Sequence, residues 1–168
     1  MRRLILFRHA KTEARSQAGD DFSRRLTDRG GSEAALMGEV LSQAGYQPDL
    51  VLVSPAARAV ETWDGMAASF PKARVERRKA LYDATPEEIA EETEHDTSAA
   101  DTVMVVGHNP GLQELAVNLL IDNAGSHHDI EVLSAGFPTS AAAVFVYDEA
   151  GRASLEAVHF ARDHRPDR

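Results

Sequence analysis

The sequence contains no cysteine, and aromatic residues make up only 6% of it. The absence of cysteine removes disulfide frameworks, thiolate metal sites and every cysteine-nucleophile mechanism, including phosphatases that form a cysteinyl phosphate. Basic residues are also short: 18 Lys and Arg stand against 27 Asp and Glu, a formal charge of −9 with a pI near 5.2. A surface of that sign repels phosphate backbones, so nucleic acid is not an expected partner. Long apolar runs are missing as well. The opening MRRLILF has the basic residues of an export signal, but its apolar stretch stops at Arg8, short of the ~7–15 residues such a signal needs. No segment approaches the ~18 apolar residues of a membrane span. The expectation is a cytoplasmic protein with no membrane partner.

What is present is enough for one ordinary core. The chain has 168 residues, 43% of them hydrophobic, close to the ~150 of a typical domain. A single domain over 1–168 is expected, with 161–168 as a polar tail and no internal repeat. Leu4 to Phe7, Leu50 to Val53 and Thr102 to Val106 are short continuous apolar runs, the pattern of strands covered on both faces. Helical patterns follow. Thr27 caps one with Leu36, Met37, Val40 and Leu41 as its stripe, ending near Gly45, and Thr85, Pro86 and Glu88 open another over Thr85 to Glu94. Ser54-Pro55 and Asn109-Pro110 read as caps followed by first helical residues. Two further apolar segments, Ser140 to Tyr147 and Ala153 to Phe160, are joined by Asp-Glu-Ala-Gly and read as an edge hairpin. The fold class is α/β, a mostly parallel, helix-covered sheet with an antiparallel edge. Such sheets bind ligands beyond the carboxyl ends of their strands.

Three strand ends deliver polar groups to that edge: Arg8-His9, then Ser54 with Arg58, then Gly107-His108-Asn109. Two Arg and two His beside two helix starts describe an anion pocket, because guanidinium forks match phosphate oxygens and helix amides face outward unpaired. Thr12 and Ser54 add hydroxyls. Other histidines are weaker candidates. His127-His128-Asp129 has metal-ligand types, but adjacent residues point apart, so no metal site is expected there; His95, His159 and His164 read as solvent-facing or structural. Trp63 and Phe70, seven apart, read as core on the second helix.

LFRHAKTE at 6–13, VSPAARAVET at 53–62 and VVGHNPGL at 105–112, in this order, resemble the histidine phosphatase superfamily, the phosphoglycerate mutase-like group. The short length, RHAK at 8–11, and the LTDRG and LYDAT segments resemble its compact SixA-type phosphohistidine phosphatase branch. The resemblance implies a three-layer α/β/α sandwich, no cofactor, and His9 as a nucleophile that becomes phosphorylated. It also implies that Arg8, Arg58 and a protonated His108 hold the phosphoryl oxygens, with Asn109 beside them. Metal-independent hydrolysis of a phosphorylated protein follows from that likeness, a small phosphomonoester being the alternative substrate. A phosphate-binding protein without catalysis is the non-enzyme reading.

The departures from the family pattern are specific. Ala10 replaces the usual Gly, and Lys11 moves the pocket mouth toward positive charge. Larger members carry a Glu general acid in an insert, whereas here about 39 residues separate Arg58 from a helix-to-strand boundary near Thr97, too few for a lid. Asp83 in Leu-Tyr-Asp is the best-placed substitute acid, although Asp there also suits a turn. Arg24 matches an Arg before the LT motif, and either pairs with Asp21, contacts substrate, or is a solvated loop charge.

Overall fold

The structure is a computed structural model that describes residues 1–95 and 99–166. The boundary placed near Thr97 lies outside the described residues. In chain order the first half holds β1 (Arg3–Arg8), α1 (Asp28–Gln43), β2 (Leu50–Val53), α2 (Ala57–Met66), β3 (Arg74–Arg77) and α3 (Pro86–Glu94). The second half holds β4 (Thr102–Gly107), α4 (Gly111–Asp122), α5 (His127–Ala135), β5 (Ala142–Tyr147) and β6 (Ala153–His159). No helix among the described residues is long and apolar enough to cross a membrane.

The three apolar runs become adjacent parallel strands. β4 lies between β2 and β1, with Val103 opposite both Leu50 and Leu4. The sheet order is β3-β2-β4-β1-β5-β6, with β5 antiparallel to both its neighbours. Strand alternation sends Leu4, Leu6, Leu52, Val103 and Val105 to one face, where they meet Ile89, Leu112, Leu115 and Leu133 of α3, α4 and α5. It sends Ile5, Phe7, Val51, Val53, Met104 and Val106 to the other, against Met37 and Leu41 of α1 and Ala59, Trp63 and Met66 of α2. The result is the three-layer α/β/α sandwich.

Local chemistry accounts for most boundaries. The Thr27 hydroxyl accepts the Gly30 amide at 3.1 Å, and α1 ends before Gly45, whose φ of +88° needs a residue without a side chain. Thr85 and Glu88 form both halves of a capping box, at 3.2 and 2.9 Å. In α1 the buried stripe is Ala34, Met37 and Leu41, while Leu36 and Val40 lie at its margin.

The two Pro-marked starts are displaced from their expected positions. α2 begins at Ala57 with Ala56 at the cap position, and α4 begins at Gly111 with Pro110 there. Neither Ser54 nor Asn109 caps, because the Ser54 hydroxyl meets His108 and the Asn109 amide donates to the Phe137 carbonyl. Phe70 stacks on Trp63 in the core, with centroids 6.2 Å apart, but it follows a 3-10 turn after α2 rather than riding on the helix. Residues 161–166 pack back on the body: Ala161 is buried, and Arg165 pairs with Glu33.

Candidate active site

β1, β2 and β4 end side by side, so the residues after them emerge together. A cavity of about 600 Å³ opens there, lined by Arg8, His9, Arg58 and His108 with Lys11, Thr12, Asp21, Arg24, Tyr82, Asp83, Asn109 and Thr139. Every residue proposed from sequence as catalytic or phosphate-binding borders this one cavity. Asp21, Tyr82 and Thr139 are additions.

His9 is 5% exposed. Its Nδ1 lies 2.8 Å from the Ala10 carbonyl, which can only accept, so the proton sits on Nδ1 and Nε2 keeps a lone pair. The turn that holds this geometry is tied down twice: the His9 amide donates to the Gly107 carbonyl at 3.0 Å and the Ala10 amide to Thr62 Oγ1 at 2.9 Å. Burial above all pushes the His9 pKa down to about 4; the Ala10 carbonyl, next in size, pulls upward, and Arg58 and Arg8 add smaller downward pushes.

His108, 7% exposed, faces His9 with ring centroids 5.3 Å apart. Its Nε2 is 2.7 Å from the Ser54 hydroxyl, while its Nδ1 is buried and makes no hydrogen bond. Burial, Arg58 and His9 lower its pKa to about 3. In the ligand-free site His108 is therefore neutral rather than protonated, because it is buried, Arg58 stands nearby and no carboxylate pairs with it directly.

The arginines are held from behind. Arg8 Nη1 donates to the Phe137 carbonyl at 3.0 Å. Arg58, on the first turn of α2, donates to the Asp21 carbonyl at 2.8 Å and to its carboxylate at 3.0 Å. Arg24 donates to Thr12 Oγ1 at 2.7 Å and lies 3.4 Å from the Asp21 carboxylate, so it pairs with Asp21 while also bordering the cavity. Tyr82 Oη donates to that same carboxylate at 2.8 Å and its ring stands edge-on to His108. Asp21 is accordingly held below the usual carboxylate range, by Tyr82 above all and then by Arg58 and Arg24. Each guanidinium is thus fixed at its Nη atoms, and the Nε of Arg8, Arg24 and Arg58 is buried with no hydrogen bond.

Asp83 borders the cavity with φ of +53°, a conformation that Asp tolerates better than most residues. Its loop is pressed against α4: a Cβ on Gly111 would lie 2.2 Å from the Ala84 carbonyl, so only glycine permits this approach. Beneath His9, the Ser140 amide donates to the carbonyls of both Arg8 and His9, at 3.0 and 3.1 Å. The Ser140 hydroxyl meets the buried carboxylate of Glu33 at 3.5 Å, which Arg29 and Arg165 neutralise. The remaining histidines lie elsewhere. His127 opens α5 and faces Glu131 at 3.8 Å, His128 follows it, and the Asp129 amide is taken by the Ser126 cap. Half-buried His159 lies against Tyr46 and His164. Among the described residues, no three His, Asp or Glu side chains gather as metal ligands.

Such an edge can bind a tetrahedral dianion and present it to one lone pair. The comparisons agree in kind. The family model described as histidine phosphatase superfamily (branch 1) matches residues 4–104. An uncharacterized protein of Mycobacterium leprae is 33% identical over 166 residues, covering 95% of this chain and 99% of that one. An uncharacterized chloroplastic protein of Arabidopsis thaliana is 34% identical over 125 residues, and there the match takes in 68% of this chain and 57% of the relative. A crystal structure assigned as the phosphohistidine phosphatase SixA of Agrobacterium tumefaciens superposes with a TM-score of 0.83 at 28% identity, over 95% of this chain and 97% of that one.

Proposed function

The chain belongs to the histidine phosphatase superfamily, in its compact SixA-type form, and from that premise we propose that it hydrolyses phosphoryl groups through a covalent intermediate on His9, without a metal, with protein phosphohistidine as the substrate. The observation that carries this reading is a concentration of unpaired donors. Of the seven buried side-chain polar atoms without a hydrogen bond among the described residues, five lie on residues of the cavity: four donors, on Arg8, Arg24, Arg58 and His108, and one acceptor, Asn109 Oδ1. Buried polar groups without partners are costly. A phosphoryl group would satisfy the donors among them together.

In this mechanism the Nε2 lone pair of His9 attacks phosphorus in line as the bond to the leaving group breaks and its electrons depart with that group. Arg8, Arg58 and the Nδ1–H of His108 stabilise the equatorial oxygens, the work that cations do in phosphoryl transfer. For His108 to donate from Nδ1, Ser54 must donate its hydroxyl proton to Nε2. Water then attacks the phosphohistidine, phosphate leaves, and His9 regains its lone pair. An imidazole leaving group needs less help from an acid than an alkoxide does, which suits a pocket whose nearest carboxylates are a paired Asp21 and a loop Asp83. The position of Asp83 on the cavity supports the second reading, a small-molecule phosphomonoesterase with Asp83 as acid.

The test is rapid quenching of labelled phosphohistidine peptide into base. An acid-labile, base-stable phosphoenzyme is expected in the parent chain and none in His9→Ala, with turnover unchanged by excess EDTA. Turnover retained by His9→Ala overturns the covalent step, and turnover restored only by added metal overturns metal independence.

A further inference from the structure

A second cavity, of about 590 Å³, shares Arg8 and Asn109 with the first. It lies between α5 and the turn at 161–163, and Val132, Ala135, Phe137, Pro138 and Phe160 make its walls apolar. At its rim stands Arg162, more than half exposed, with its guanidinium 4.5 Å over the Phe160 ring and its Nε in a loose, exposed pair with Asp163 at 3.9 Å. The rim is thus a cation above an apolar wall on a chain of net charge −9. None of these walls serves the chemistry described above, apart from the Phe137 carbonyl that holds Arg8 and Asn109.

We infer that this adjoining groove is a docking subsite for the polypeptide that carries the phosphoryl group, taking an apolar side chain close in sequence to the phosphorylated residue and a carboxylate against Arg162. The inference rests on the phosphatase reading of the first cavity. The first cavity is of a size that encloses a small ligand by itself, so a free phosphomonoester has no use for the second. An extended polypeptide does. Its residues at i and i±2 project to the same side, ~6–7 Å apart, so a phosphorylated side chain inserted at His9 sets a neighbour on the far side of Arg8, which both cavities share. Charge selects further, because the exposed guanidinium of Arg162 favours an acidic segment and discourages a basic one.

The test compares kcat/KM for free phosphohistidine and for a phosphohistidine nonapeptide with Leu two residues from the modified position and Glu beyond it. The peptide is expected to be at least about tenfold better in the parent chain. Ala135→Trp, which fills the groove from an exposed helix position, is expected to bring the peptide down to the free compound while leaving the latter unchanged. Arg162→Glu is expected to lower the acidic peptide several-fold and to be compensated by a peptide with Lys in place of Glu. No peptide advantage in the parent chain, or equal losses on both substrates in Ala135→Trp, overturns the inference. The same pair built on phosphoserine separates the two readings. Hydrolysis confined to phosphoserine overturns the phosphohistidine assignment, and the peptide-to-free ratio in that pair still decides the groove.

Discussion

At the end of β1 the chain passes from Leu4–Phe7, each no more than 1% exposed and surrounded by carbon, to the partly buried Arg8 and the buried His9, surrounded by other cationic or titratable groups. β4 repeats the transition from Val106 to His108, and β2 from Val53 to Ser54. The strand bodies are stabilised by area removed from water, at ~25 cal/mol per Å². The strand ends run the other way: burial and Arg58 lower even the Arg8 pKa, and donors lie buried without acceptors. The body therefore holds the edge in an arrangement that the edge alone would not choose. An anion bound there would relieve that strain of charge and desolvation.

The sharpest way to break this contrast is one substitution on each side of it. Arg58→Ala should lower turnover 10²-fold to 10³-fold, as loss of an oxyanion donor does, with a denaturant midpoint equal to or above that of the parent. Phe7→Ala should do the reverse to stability, costing ~3–5 kcal/mol by leaving a cavity in the body. Equal destabilisation by both would mean that the edge is not held against its own preference.

Acid is the next probe. His9 and His108 titrate near 4 and 3 when folded but near 6.5 when unfolded. Between those values the unfolded chain binds more protons, so folding stability present above about pH 6.5 is lost as pH falls toward 4. The slope is roughly 1.4 kcal/mol per pH unit for each histidine. Urea melts at pH 7, 6 and 5 should show it, and His9→Gln with His108→Gln should flatten the profile over that window. Tungstate should flatten it too, by satisfying the donors and favouring charged imidazoles.

A smaller effect separates placing from catalysing. Ser54→Ala should cost about fivefold to tenfold in kcat, ~1 kcal/mol, and should move the ¹⁵N signature of His108 from the Nδ1–H toward the Nε2–H tautomer. An unchanged tautomer would sink the assigned role of the Ser54 hydroxyl. The smallest loss is expected for Asp83→Asn on a phosphohistidine peptide, less than about threefold, against a much larger one on an alkyl phosphomonoester. Equal, large losses on both would turn the function toward the monoesterase.

The sequence exposed the parts of this design that obey periodicity. Continuous apolar runs ending in Arg8-His9, Ser54 and Gly107-His108 located three strands, their shared edge and the four residues at its centre. It exposed Asp21 only as a partner for Arg24 and did not expose Tyr82; both reach the cavity from loops whose path is set by Arg58 and by each other. Nor did it expose β3: Arg-Val-Glu-Arg has no apolar run, since it is an edge strand whose charges, with Glu76 against Arg78, guard it from further pairing. α5, mostly polar at its start, was hidden for a similar reason. The two misplaced helix starts share one cause. Ser and Asn before Pro carry a strong local cap signal, but tertiary partners took both side chains, His108 for one and the Phe137 carbonyl for the other.

The buried Glu33 carboxylate has a practical side for anyone handling the protein. It joins Arg165 to Ser140, and Ser140 holds the carbonyls of both Arg8 and His9. A cut after His164 or a fusion grafted onto residue 165 therefore works on His9 through one side chain and one amide, although residue 165 looks remote in sequence. A graft at the exposed Pro71 and Lys72 before β3 meets no such link to His9 among the described residues, which makes that turn the safer handle.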